Sequence, residues 1–235
     1  MTLPAAVPAT MAHRVTAHAD VVSAHTLFGC LIREVAGPDR QVAIDAGYLV
    51  VRLPHIGALV RARLHRVSTV AAHRFTGPVQ RHGGDTRWDE IGLDELAALV
   101  DAELTARTGE DNDEFLAQVR ASRDTLADIL ATRPPAAGKH LAPVAGVYVD
   151  SEQGLLAGHP RHPAPKWRSG AARDWRRYAP ETRAAFPLRW LAVPEELVRE
   201  YTVDGDFDGH AATGELLGPE HPPRDGYRAL PVHPW

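Results

Sequence analysis

From about Ala12 to Ala36 the chain has no Gly or Pro except Gly29, and Leu27, Leu31 and Val35 recur every fourth residue, which predicts a helix. In the run YLVVRLPHIGALVRARLHRVSTVAAHRFTGPV the period changes to two. From Ala58 onward, Ala58, Val60, Ala62 and Leu64 share one face, while Arg61, Arg63 and His65 share the other. This alternation predicts strands joined as an antiparallel meander with one solvated face. Two amphipathic helices follow, one carrying Leu93, Leu96, Ala97, Val100 and Leu104, the other Phe115, Val119, Leu126, Ile129 and Leu130. The expected fold class is therefore α+β, an antiparallel sheet flanked by helices.

The acidic group Glu110, Asp111, Asp113 and Glu114 precedes the second amphipathic helix, where negative charge complements the helix dipole, so it reads as capping. Residues 132 to 146 are rich in Pro, Gly and Ala and mark the best internal boundary, giving an N-terminal α+β domain at 1–138 and a second domain at 139–235. Beyond that boundary come aromatic and His-Pro-rich turns, with short strands expected at 188–193 and 227–232.

A hydrophobic content of 44%, a charged content of 24% and a net charge of −4 fit an ordinary globular protein and supply no basic field for nucleic acid. The single cysteine, Cys30, lies in an apolar run and excludes an internal disulfide, so a reducing cytoplasm is the expected compartment. The start lacks a charged n-region, and no run approaches the roughly 18 apolar residues that span a bilayer, so no membrane partner is expected. His18 and His25 lie seven apart on one side of the first helix with no evident third ligand, and they read as packed or solvated histidines.

The candidate chemistry lies in residues 152–170, EQGLLAGHPRHPAPKWRSG. Four of the 13 histidines precede proline, namely His159, His162, His221 and His233. A residue before proline is held in extended geometry, which presents an imidazole from a stiff backbone. The chain has 24 arginines and only two lysines, Lys139 and Lys166. An ammonium is a compact point charge where guanidinium is a planar fork, so Lys166 hints that the point charge matters.

Gly158, His159, Pro160, His162, Pro163, Lys166, Arg168 and Gly170, followed by YAPE, LRWLAV and LPVHPW, resemble the IucA/IucC family of siderophore synthetases that work without a peptide-synthetase assembly line. The resemblance implies that residues 139–235 begin an ATP-binding catalytic domain. It implies an ATP- and magnesium-dependent ligase that adenylates a carboxylic acid of citrate or succinyl type and condenses it with an amine, hydroxylamine or hydroxyl. Lys166 and Arg168 would contact phosphate or carboxylate, with His159 a donor beside them. His162 either joins them or ties the turn together, His233 either lines the same cleft or packs at a strand end, and Glu152 either orients Lys166 or opens a helix.

Family members are longer, and three of their later segments are not found in this chain. The expectation is thus the N-terminal part of a synthetase, inactive alone, with the remainder supplied by a separate chain or within a homo-oligomer. The alternative is a non-catalytic phosphate- or carboxylate-binding module. A His-based metal hydrolase is weaker, because no carboxylate stands at zinc-ligand spacing around His159 and His162. If a further segment normally covers residues 148–235, an apolar patch is expected around Trp167, Trp175, Trp190 and Trp235.

Overall fold

The computed structural model describes residues 9–132, 143–168, 175–202, 205, 208–217 and 224–234. It forms two compact units, Met1–Arg183 and Ala184–Trp235. The compositional boundary at 138/139 falls outside the described residues; the helix and turn that follow it, up to Arg183, are counted with the first unit.

Helix α1 (Ala9–Leu31) continues into a single π-helical turn, Ile32–Ala36. Five strands follow as β1 (Val42–Asp45), β2 (Tyr48–Leu53), β3 (Ala58–Arg66), β4 (Arg74–His82) and β5 (Trp88–Ile91), hydrogen-bonded in chain order and antiparallel throughout. Leu49, Val51, Ala62, Val60 and Val79 are all fully buried on one face. That face packs in one core with Leu27, Phe28, Leu31 and Ile32 of the first helix and with Leu93 and Leu96 of α2 (Leu93–Thr108). The meander and its buried face follow the alternation of the sequence. On the opposite face Arg61 is sandwiched between rings, its guanidinium 4.0 Å from Tyr48 and 4.1 Å from Trp88.

The stretch His13–Ala36, with a mean hydropathy of 1.3, matches a membrane span by length and composition only. Its apolar residues Ala24, Leu27, Phe28, Leu31 and Ile32 are committed to the core, which explains an apolar helix here. His25 Nε2 bonds the carbonyl of Gly77 at 2.7 Å, and burial lowers its pKa despite that bond. Gly77 sits at φ +70 beside a register shift between β3 and β4, a left-handed conformation that favours glycine.

Two acidic side chains tie distant elements together. Asp20 of α1 accepts the Leu93 N–H at 3.0 Å and so caps α2 from outside its own segment. Glu103, 1% exposed, accepts the N–H groups of His55 (3.0 Å) and Ile56 (3.2 Å) and bonds His55 Nδ1 at 2.8 Å, pinning the β2–β3 turn to α2. Glu103→Ala orphans these donors and is expected to lower stability by about 2–3 kcal/mol. Urea unfolding measures the loss, and faster amide exchange at His55 and Ile56 localises it.

Helix α3 (Phe115–Thr132) begins after Asn112, whose Oδ1 accepts the Glu114 N–H at 3.2 Å, so an asparagine among the acidic residues makes the capping bond. Helix α4 (Pro143–Gly154) and two 3₁₀ turns, Trp175–Arg177 and Pro180–Thr182, complete the described part of the first unit. In the second unit β6 (Arg189–Pro194) and β7 (Tyr227–Val232) pair antiparallel, as expected at 188–193 and 227–232, and α5 (Gly209–Leu217) packs on β7. The tryptophan expectation is met only in part. Trp167 is 43% exposed, but Trp175 is 4% exposed and packs with Ile129 and Ala179, while Trp235 lies outside the described residues.

Candidate functional site

The turn that carries the His-Pro pairs runs from the end of α4 to Arg168 and is fastened to α3. Buried Ser122 accepts the Lys166 N–H at 2.9 Å, a partner 44 residues away. Each histidine then folds back on its own backbone. His159 Nδ1 accepts the N–H of Arg161 at 3.3 Å, and His162 Nδ1 accepts that of Ala164 at 3.1 Å. With Nδ1 an acceptor, a neutral ring carries its proton on Nε2, and both exposed imidazoles keep that donor for a ligand. His162 therefore does tie the turn together, and His159 does the same.

Gly158 has φ +71, and a Cβ there would stand 3.0 Å from Pro165 Cβ and 3.2 Å from Lys166 Cε. Gly158→Ala is expected to cost about 2 kcal/mol through backbone strain and the displaced Lys166 stem. Gly154→Ala, where a Cβ meets nothing within 4 Å, is the near-neutral control; denaturant midpoints compare the two.

Lys166 is buried, at 7% exposure. Its Nζ donates to Glu181 Oε1 and to the Leu155 carbonyl, both at 2.9 Å, and Arg168 Nη2 donates to the same Glu181 oxygen at 2.6 Å. Glu181, which stands in the YAPE segment, is thus the carboxylate that orients Lys166. Glu152 does not open a helix; it is exposed near the end of α4. Burial is the largest influence on the Glu181 carboxyl and raises its pKa, but the Lys166 bond, a backbone bond and the charges of Lys166 and Arg168 together hold it below its ordinary 4.5.

Two cations on one carboxylate leave an excess positive charge. The Arg168 guanidinium lies 5.5 Å from the Trp175 ring centroid, and its Nε is buried without a hydrogen-bond partner among the described residues. The same holds for Nε and Nη1 of Arg183, two residues past Glu181, whose backbone adopts φ +58. Buried guanidinium donors without partners are rare in folded proteins and suit an anion. Neither Glu181 nor Arg183 was singled out in the sequence, although Glu181 closes the YAPE segment and Arg183 lies two residues beyond it. Gly170 lies outside the described residues. His233 belongs to the second unit, exposed at the end of β7 with its ring 4.8 Å from that of Phe186.

The donors at this turn suit the phosphate or carboxylate groups of a nucleotide or an acid substrate. Among the described residues no group of three or more His, Cys, Asp or Glu is placed to hold a metal ion.

Residues 147–235 match the IucA / IucC family. The rhizobactin siderophore biosynthesis protein RhbC of Rhizobium meliloti (strain 1021) is 30% identical over 234 residues, 93% of this chain and 39% of that protein. L-2,3-diaminopropanoate--citrate ligase of Staphylococcus aureus is 44% identical over 62 residues, 26% of this chain and 11% of that protein. The structure of ATP-bound aerobactin synthetase IucA from a hypervirulent pathotype of Klebsiella pneumoniae shares the fold, with a TM-score of 0.61 at 21% identity over 91% of this chain and 39% of that one. The chain thus spans about two fifths of the length of the longest-matching relative.

Proposed function

We propose, from the premise that this chain belongs through residues 147–235 to the IucA / IucC family, that it contributes the anion-binding turn of an ATP-dependent siderophore synthetase. The reaction joins a carboxylic acid of citrate or succinyl type to an amine, hydroxylamine or hydroxyl in the cytoplasm, with ATP activating the acid by adenylation. Support for citrate comes from the relative named L-2,3-diaminopropanoate--citrate ligase, and support for ATP from the ATP-bound structural neighbour. The observation that carries the reading is the set of buried, unpartnered guanidinium nitrogens on Arg168 and Arg183.

The chain's own residues divide the work. Glu181 fixes Lys166 and Arg168, so that their charge is preorganised and no reorganisation is needed when negative charge shifts toward a departing pyrophosphate. His159 and His162 present Nε2 donors from a proline-stiffened turn. His233, in the second unit, is kept as a candidate nucleotide- or acid-binding residue in its own right. Magnesium would enter with the ATP phosphates, which hold it together with only one or two protein carboxylates.

The test is pyrophosphate release from ATP with citrate, succinyl-diamine and dicarboxylate panels. It is run on this chain alone and on a fusion of the chain to the part of a family member lying beyond the matched region. The chain alone is expected to bind nucleotide weakly and release no pyrophosphate, while the fusion turns over. In the fusion, Lys166→Ala should lower carboxylate-dependent release by about tenfold to a thousandfold, with only partial rescue by Lys166→Arg. Near-normal turnover by Lys166→Ala overturns the role of the turn. A chain that binds ATP tightly while the fusion stays inactive favours the non-catalytic binding module.

A further inference from the structure

A cavity of about 670 Å³ opens within the first unit between α1, the β3–β4 connection and the turn residues Gly158, Pro160 and Arg161. Its size falls in the range of small-molecule sites. Its walls are apolar, with Val22, Ile32 and Phe75 among them, and its charged lining is all of one sign, from Arg66, Arg74 and Arg161. None of His159, His162, Lys166 or Arg168 lines it.

Three features set these arginines apart from an ordinary solvated face. Arg66 and Arg74 are direct cross-strand partners at the end of the β3–β4 pair, where like charges repel. No Asp or Glu lines the cavity to offset them, and none of the three arginines makes a side-chain ion pair or hydrogen bond among the described residues. His73, next to Arg74, also lines the cavity, and its Nδ1 accepts the Ser68 N–H at 3.2 Å, which leaves Nε2–H as a donor in the neutral ring. Burial first, and then the charge of Arg161, lower the pKa of His73 and favour that neutral form, so the arginines supply the charge.

We propose that this cavity binds a small organic anion bearing two or more carboxylates, gripped by Arg66, Arg74 and Arg161 with His73 as an added donor, at a site separate from the His-Pro turn's own anion cluster. Guanidinium forks pair bidentately with carboxylates, and the apolar walls favour a carbon skeleton over an inorganic ion. A bound polycarboxylate also relieves the repulsion between Arg66 and Arg74.

The experiment is calorimetric titration of the 235-residue chain at low salt with citrate, and with inorganic phosphate and acetate as comparison anions. Citrate is expected to saturate one site, with phosphate and acetate at least about tenfold weaker. Arg74→Gln and Arg161→Gln should each weaken citrate by about tenfold or more. Circular dichroism checks that each variant is folded, and either arginine alone decides the matter. Arg120→Gln, which changes an exposed arginine paired with Asp94 and not lining the cavity, should leave citrate affinity within about twofold. The proposal is overturned by absence of saturable citrate binding, by wild-type affinity in both Arg74→Gln and Arg161→Gln, or by phosphate binding as tightly as citrate. Loss of binding in Arg168→Gln with wild-type affinity in Arg74→Gln and Arg161→Gln assigns the anion to the turn and equally overturns it.

Discussion

Glu181→Ala should destabilise the first unit by about 3–5 kcal/mol, because it strands Lys166 and leaves Arg168 without its carboxylate in a buried setting. Lys166 and Glu181 are 7% and 3% exposed, so water cannot replace the lost partner without opening the turn. Lys166→Met should cost less, about 1–3 kcal/mol, because Arg168 still pairs with Glu181. The double variant Lys166→Met/Glu181→Leu should recover much of the loss, since an apolar pair avoids desolvating two charges. Urea unfolding followed through the fluorescence of buried Trp175 would rank the three. A Glu181→Ala variant as stable as the parent would show that the cluster does not hold the turn.

The same carboxyl sets an acid limit. Its folded pKa lies below the ordinary 4.5, so it contributes stability that is full above that value and is lost as pH falls through the folded pKa. The parent should therefore lose stability below about pH 4.5, and a Glu181→Gln variant should lack that part of the slope.

Arg183→Met is expected to separate stability from function. Two of its guanidinium nitrogens are buried without partners, so in the free protein the charge is a burden, and its removal should leave stability unchanged or raise it by about 1 kcal/mol. In the turnover-competent fusion the same change should lower pyrophosphate release by about tenfold to a thousandfold if those nitrogens meet a phosphate or carboxylate. Denaturant midpoints and the release assay together read both effects. A variant that is strongly destabilised would show that the guanidinium is structural, and one with normal turnover would remove Arg183 from the site.

What was legible in the sequence is what repeats locally. The alternation of Ala58, Val60 and Ala62 and the helical spacing of Leu93, Leu96 and Val100 report burial on one face, and these residues are buried on that face. Strands β1 and β5, of four residues each, are too short to show a period, and they are held by pairing to neighbours that do. The His-Pro turn was visible because its motif is contiguous. Its anchors were not. Ser122 lies 44 residues before Lys166 and Glu181 lies 15 residues after it, and neither spacing matches a helix or a strand, so only the folded chain brings them together. The nearer acid, Glu152, was a natural guess that the end of α4 turns outward.

The Asp20 cap on α2 joins groups 73 residues apart, and this has a bearing on synthesis. The meander pairs only neighbours in the chain, so each hairpin can close soon after it leaves the ribosome. The first helix gains the sheet face as the meander forms, but not the rest of its cover. Leu93 and Leu96, which also pack on Leu27 and Phe28, come later by nearly that whole interval. At roughly 5–20 residues per second the nascent helix stays incompletely covered for on the order of 4–15 s. That window suits capture by a chaperone or by a neighbouring nascent chain, and slower translation across β1 to β5 lengthens it.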